Sequence, residues 1–159
     1  MDLHAKKKLL RAIPYGLYVA GVKAGEELHA FTLSWLTQVS LKPPVVAAGI
    51  RKGSKSLRMI RKGKVLSINF IRKDHSATIA HFFKPADFHG SRLGSHPFHA
   101  GETGAPILDE AVGFLECRVK KVISGFGDHS AVIAEVMQAK IIHDAECLKM
   151  SDTPWHYGG

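Results

Sequence analysis

The sequence predicts a mainly β fold, a closed barrel with a few short helices rather than a parallel α/β sheet. Most apolar segments are strand-length runs bounded by glycine, proline or polar turn residues, whereas helical patterns are few and short. The 159 residues fit a single domain over residues 1–159. With 45% hydrophobic and 23% charged residues, the chain has enough apolar side chains for a core, which excludes a disordered protein.

Three short helices are predicted from periodicity and end signals. The first is amphipathic and covers residues 3–11, and Pro14 ends it because proline disfavours helical geometry in the residue before it. The second covers residues 54–62, with a serine as its N-cap and a glycine at its end. The third covers residues 76–83.

The remaining regular segments are β-rich runs. Residues 24–27 are expected to form a hairpin turn, and residues 125–129 a second turn between two long strands. Residues 84–106 are rich in proline, glycine and histidine and are expected to form a long loop, a kind of segment that often carries function. The predicted strands are residues 17–23, 28–35, 45–50, 65–71, 113–124 and 131–142.

Positive charge is concentrated in the first half of the chain. The formal net charge is +8, and residues 1–85 carry 16 lysines and arginines against four acidic residues. Residues 51–73 contain nine basic residues and no acidic one. Such a stretch attracts an anion, which could be nucleic-acid phosphate, a phosphorylated cofactor, or an acidic protein or lipid surface; a solvated basic face without a ligand is the alternative.

Several classes of protein are excluded or disfavoured. No apolar run reaches the roughly 18–20 residues that a membrane span needs, and no signal peptide is recognisable, so we expect a cytoplasmic protein without a membrane partner. Cys117 and Cys147 are expected to be reduced and structural. The dinucleotide-fold, P-loop and α/β-hydrolase motifs are missing. Nucleic-acid binding is a low-ranked alternative, because Phe70 is the one aromatic residue in the basic stretch.

The second predicted strand offers a face for a planar, hydrogen-bonding ring. Thr32 and Ser34 alternate with Leu33 and Trp35, so one side of the strand carries small hydroxyls. An edge strand with its polar side toward water is the alternative interpretation.

A specific anion site is predicted where the second helix begins. Ser54, Lys55 and Ser56 follow Gly53, and unpaired N–H groups and the positive end of the dipole favour a phosphate there. Simple N-capping by Ser54 is the alternative. No metal site is predicted, since the histidines around the long loop lack the spacing of a zinc protease. His129 follows a Gly-Asp turn and could face a pocket, or it could only close the turn.

Nine short segments, taken in their order along the chain, form a recognisable set. They are residues 13–16 (IPYG), 32–40 (TLSWLTQVS), 43–44 (PP), 54–56 (SKS), 66–71 (LSINFI), 80–83 (AHFF), 104–108 (GAPIL), 115–119 (LECRV) and 127–129 (GDH). This ordered set resembles the flavin reductase-like FMN-binding family of split β-barrels. The pair Ser34-Trp35 and the pair Gln38 and Ser40 resemble the branch of reductase domains associated with flavodiiron or rubredoxin modules.

The resemblance implies a Greek-key split barrel that forms a homodimer, with FMN near the subunit interface and NAD(P)H as electron donor. His129 would be the catalytic residue beside the redox face. A flavin performs the hydride chemistry itself, which explains why no protein acid–base pair is evident. The cofactor-binding residues implied are Thr32, Leu33 and Ser34 at the isoalloxazine, Trp35 and Gln38 in the same segment, and Ser54, Lys55 and Ser56 at the phosphate.

The function expected is that of an FMN-dependent NAD(P)H:flavin oxidoreductase, which passes electrons to a flavin, a protein or oxygen. A non-enzymatic FMN-binding electron carrier, reduced by a partner protein, is the alternative. A small electron-transfer protein is a candidate partner in both cases.

Overall fold

The computed structural model describes residues 1–84, 86 and 88–159. The helices are α1 (Leu3–Ala12), α2 (Lys55–Gly63), α3 (Ser76–His81) and a 3₁₀ turn at Met150–Asp152. The strands are β1 (Tyr18–Ala24), β2 (Glu27–Leu33), β3 (Leu36–Leu41), β4 (Pro44–Arg51), β5 (Val65–Phe70), β6 (Phe88–His89), β7 (Arg92–Leu93), β8 (His96–Ala100), β9 (Pro106–Leu108), β10 (Gly113–Ile123) and β11 (His129–Ile141).

Seven strands form one antiparallel sheet in the order β2-β1-β5-β10-β11-β4-β3. The two edge strands, β2 and β3, are consecutive in the chain and are joined only by Ser34 and Trp35. A sheet whose opposite edges are connected by two residues has to curl until those edges meet. The sheet is therefore a barrel that is split between β2 and β3, as the resemblance implies, rather than one closed by hydrogen bonds all round.

A second, smaller sheet runs in the order β6-β7-β8-β9, and its first three strands lie within the segment predicted to be a loop. The loop prediction is wrong for these strands, because Leu93 and Phe98 are buried and short strands satisfy the backbone around them. Residues 85 and 87 of the predicted loop lie outside the described residues. The fully buried carboxylate of Glu116 fixes the β8–β9 turn by accepting hydrogen bonds from the backbone N–H groups of Glu102 and Thr103.

Two apolar clusters hold the fold together. The first fills the barrel and includes Leu57 and Ile60 of α2. The second lies under the small sheet and α3, around Ile79, Phe82 and Leu108. The functional site described below lies where these two clusters meet.

Helix α2 follows the prediction in its cap and departs from it at its end. The Ser54 hydroxyl accepts a hydrogen bond from the Leu57 N–H at 3.1 Å, as an N-cap does. The left-handed C-cap is Lys64, not Gly63. Gly63 is required for another reason, because a Cβ there would overlap the carbonyl oxygen of Lys23. The glycine allows the helix to approach β1 closely.

The other elements begin or end within two residues of their predicted positions, and β3 is the main addition. No strand is predicted for these residues. β3 is exposed over the three successive residues Thr37–Val39, so it lacks the alternation of burial that identifies a half-buried strand. β2 ends at Leu33, so Ser34 and Trp35 belong to the connection and not to a strand.

Candidate functional site

A cavity of about 570 Å³ opens between the two core clusters. This volume lies within the range of small-molecule and cofactor sites. Its walls are mostly apolar, with a few polar groups at one end, which suits a planar ring system that carries a charged tail. The lining residues come from β2 and the residue after it (Phe31, Thr32, Leu33, Ser34), from β4 (Gly49, Ile50, Arg51), from the start of α2 (Ser54, Ser56), and from Leu17, Phe82, Phe83, Met150, Trp155, His156 and Tyr157.

Four predicted hydroxyls line the cavity, but they differ in availability. The Thr32 hydroxyl donates to the carbonyl oxygen of Ile79 at 2.9 Å, which ties β2 to α3. The Ser54 hydroxyl donates to the Arg51 carbonyl and accepts from Leu57. The remaining two are Ser56, whose Oγ lies 3.0 Å from Nε2 of His29, and Ser34, whose Oγ has no hydrogen-bond partner among the described residues. Ser34 thus offers a free hydroxyl to a ligand.

The start of α2 provides backbone donors at the polar end of the cavity. The first N–H groups of any α-helix have no acceptor inside the helix. In α2, the N–H groups of Leu57 and Arg58 bond to Ser54. Those of Lys55 and Ser56 have no acceptor within the described part of the chain, so they are available to an anion.

The cation at the cavity is Arg51 and not Lys55. Arg51 ends β4 and lines the cavity beside Ser54. The ammonium group of Lys55 lies 2.8 Å from Oε1 of Glu27, in an ion pair on the β1–β2 side of the helix. Glu27 holds Lys55 outside the cavity lining, although the Lys55 backbone N–H remains at the helix start.

His29 is a buried neutral group behind the α2 start. Burial, and to a lesser degree the positive charge of Lys55, lowers the pKa of His29 to about 4. The ring is therefore uncharged at neutral pH and hydrogen-bonds Ser56. It stacks on Phe31, with ring centroids 5.8 Å apart, so it supports one of the cavity walls.

His129 lies next to the cavity and is connected to it by Tyr157. Its Nδ1 is 2.8 Å from Oδ1 of Asp128, and its Nε2 is 2.8 Å from the hydroxyl oxygen of Tyr157. Tyr157 lines the cavity, and His129 does not. His129 therefore reaches the site only through the side chain of Tyr157, which belongs to the C-terminal segment.

Trp35 holds this arrangement together from outside the lining. Its ring centroid is 4.6 Å from that of His129 and 5.1 Å from that of Tyr157. Its indole N–H is buried. Among the described residues, it is the one buried side-chain nitrogen or oxygen without a hydrogen-bond partner. Gln38 is exposed on β3, where its amide donates to the Ser40 carbonyl at 3.0 Å.

Of the nine predicted site residues, five line one cavity and four lie outside its lining. Arg51 was part of the predicted basic stretch but was not singled out within it. The C-terminal aromatic residues were missed altogether, although the sequence Trp155-His156-Tyr157 is unusually aromatic for a chain with 8% aromatic residues. The residues inside the lining are Thr32, Leu33, Ser34, Ser54 and Ser56, and those outside it are Trp35, Gln38, Lys55 and His129.

The comparisons with known proteins decide the family. A family model described as the flavin reductase like domain matches residues 10–153. The chain belongs to this family. The predicted resemblance is thereby confirmed, and so is the split-barrel fold that it implied.

Three known proteins are similar to this chain in sequence or in structure. A protein named diflavin flavoprotein A 3, from Synechocystis sp., is 29% identical over 80% of this chain and 21% of its own length. The NADPH-flavin oxidoreductase of Streptomyces viridifaciens is 27% identical over 87% of this chain and 72% of its own. The NADH:FAD oxidoreductase SgcE6 of Streptomyces globisporus, solved with NAD and FAD fragments, superimposes with a TM-score of 0.80 at 26% identity, covering 95% and 89% of the two chains.

The chain spans about a fifth of the length of the diflavin flavoproteins that it matches. Two of the three similar proteins are named as flavin oxidoreductases, one for NADPH and one for NADH. Within the described residues, none of the helices combines the length and the apolar character needed to cross a bilayer.

Proposed function

We propose that this chain is an FMN-dependent NAD(P)H:flavin oxidoreductase and that FMN occupies the cavity. The observation that carries this proposal is that the apolar cavity ends at the N-terminus of α2. The apolar part of the cavity would bind a planar ring, and the N-terminus of α2 would bind a phosphate. A flavin without a phosphate would leave the polar end unused.

The apolar walls would hold the isoalloxazine. Phe31 and Leu33 of β2, Ile50 of β4 and Phe82 supply large apolar side chains to the cavity wall. Close packing against these side chains excludes water from the ring. Ser34, with its free hydroxyl, would supply a hydrogen bond to the polar edge of the ring.

The phosphate would be held by backbone N–H groups and one guanidinium group. The N–H groups of Lys55 and Ser56 are free, and Arg51 carries the charge at the cavity. Ser54 and Ser56 add hydroxyls at the same point, whereas Lys55 would contribute its backbone and a more distant charge. Charge-assisted hydrogen bonds of this kind are the strong ones.

A bound flavin would accept a hydride from the nicotinamide and pass the electrons on. The protein has to bind the ring, keep water away and leave one face open to the donor. Tyr157 lines the cavity, where it can contact ligand or donor, and His129 hydrogen-bonds Tyr157 without lining the cavity itself. The acceptor would be free flavin, oxygen or an acidic electron-transfer protein attracted by the exposed cations of α2, Arg58, Arg61 and Lys62.

Anaerobic spectroscopy of the purified chain tests this proposal. We expect FMN to bind at one per chain, more tightly than FAD or riboflavin, and its absorbance to bleach on addition of NADH or NADPH. A chain that binds FMN but is reduced only by a protein donor would be an electron carrier instead. A chain that takes up no FMN would contradict both functions.

A further inference from the structure

Tyr157 is the residue at which His129 meets the cavity. Tyr157 lines the cavity, and its hydroxyl oxygen is 2.8 Å from Nε2 of His129. The segment around it is fixed. Trp155 packs on Phe83, with ring centroids 4.8 Å apart, and Nε of Arg11 donates to the Gly158 carbonyl at 3.3 Å. Tyr157 is thus held from both sides.

The other nitrogen of His129 determines which way this hydrogen bond runs. The hydrogen bond from His129 holds the pKa of Asp128 below its ordinary value, so the carboxyl group is ionised and can only accept. Nδ1 of His129 therefore carries a hydrogen. In the neutral ring, Nε2 is then an acceptor, and the Tyr157 hydroxyl has to donate to it.

Protonation of His129 would reverse that bond. Nε2 then carries a hydrogen and donates to the Tyr157 oxygen, which frees the hydroxyl hydrogen of Tyr157. Tyr157 itself stays protonated around neutral pH, because burial raises its pKa, opposed by Arg51 and assisted by Asp128. Arg51 from β4 and Asp128 from the β10–β11 turn influence its pKa, His129 of β11 hydrogen-bonds it, and His156 lines the same cavity.

We propose that Tyr157 is a ligand-binding residue and His129 a positioning residue that acts through it. With His129 neutral, the hydroxyl hydrogen is committed to the imidazole. With His129 protonated, the same hydroxyl donates into the cavity, to a carbonyl or anionic atom of the ligand. Protonation of one imidazole thus changes the cavity wall from acceptor to donor. This inference rests on the proposed function for the nature of the ligand, a flavin ring with carbonyl acceptors.

Riboflavin binding measured against pH tests the inference. Riboflavin has no phosphate, so the titration of that group does not contribute. We expect its affinity to rise by about three- to ten-fold on acidification once His129 is protonated, since one net hydrogen bond is worth that much. Tyr157→Phe keeps the ring and its packing but removes the hydroxyl, and should bind equally at all these pH values.

The controls separate this role from a structural one. His129→Gln cannot be protonated and should also lose the pH dependence, and the double variant should be no worse than either single one. Tyr15→Phe removes a hydroxyl that donates to Leu10, away from the cavity, and should keep the wild-type profile. A Tyr157→Phe profile that follows wild type would overturn the inference while leaving flavin binding intact.

A second measurement does not depend on any variant folding. The ¹⁵N shifts of the His129 ring in the unliganded chain report its neutral tautomer. We expect the hydrogen on Nδ1, and a hydrogen on Nε2 would overturn the inference. If the wild-type chain binds neither FMN nor riboflavin at any pH, the proposed function fails as well.

Discussion

Gly49 packs directly beneath the indole of Trp35. A Cβ at Gly49 would lie 2.9 Å from Cε3 of Trp35, closer than packed carbon atoms approach. The missing side chain allows the indole to approach β4 closely while it also contacts His129 and Tyr157. The position of the ring behind the site thus depends on a residue without a side chain.

Gly49→Ala should therefore displace Trp35. We expect a loss of about 1–3 kcal/mol in the free energy of unfolding, the usual cost of an overpacked contact, measured by urea denaturation. A smaller ring should relieve the clash, so Trp35→Phe combined with Gly49→Ala should be less destabilised than the sum of the single changes. Strict additivity would show that the two residues do not compete for the same space.

Arg51 and Lys55 should differ in their effect on FMN binding. Arg51 lines the cavity, whereas Lys55 pairs with Glu27. Arg51→Gln should weaken FMN by ten-fold or more and change riboflavin binding little, because a charge-assisted contact with the phosphate is lost. Lys55→Gln is the matched control and should have a smaller effect in fluorescence titrations. The reverse order would place the phosphate on the Glu27 side of α2.

Acid should destabilise the fold through His29. Its pKa is lowered to about 4 in the folded protein by burial and by Lys55, whereas an unfolded histidine titrates near pH 6.5. Between these values the unfolded chain binds a proton that the folded chain does not, so the free energy of unfolding falls as the pH drops from about 6.5 to 4. We expect about 2 kcal/mol of this loss between pH 7.5 and 4.5 to be absent in His29→Gln.

The same experiment has a control in α1. His4 is exposed, and His4→Gln should retain the full wild-type dependence on pH. Equal pH dependence in the His29→Gln and wild-type chains would show that His29 is charged in the folded protein, which contradicts its burial beside Ser56.

The chain is expected to be a dimer in solution. Exposed apolar side chains gather at the end of the main sheet where β3, β4 and β11 meet: Leu41 is 79% exposed, and Val39 and Met137 are each more than half exposed. Such a surface is typical of one that a second copy covers. Light scattering should give about twice the chain mass of 17.4 kDa.

Variants at this surface test which face is used. Leu41→Glu should yield a monomer, because a charge buried in the interface is unpaired. Phe126→Ser is the control, since Phe126 is 87% exposed on the β10–β11 turn, away from that end of β3. A Leu41→Glu chain that remains a dimer would place the interface elsewhere.

The family and the position of most elements could be predicted from the sequence, because both depend on local signals. Alternation and turn residues mark β1, β2, β10 and β11, and Ser54 caps α2 as its position in the chain indicates. The hydroxyls of Ser34 and Ser56 reach the cavity because they stand at the end of β2 and the start of α2.

What the chain could not show by itself is which charged group faces the ligand and what connects His129 to it. Lys55 and Arg51 are equally basic in the sequence, and only the folded hairpin brings Glu27 to Lys55 and leaves Arg51 at the cavity. Tyr157 is 28 residues from His129, and no local pattern relates them. Contacts between segments far apart in the chain depend on how the sheet curls, so tertiary packing alone decides them.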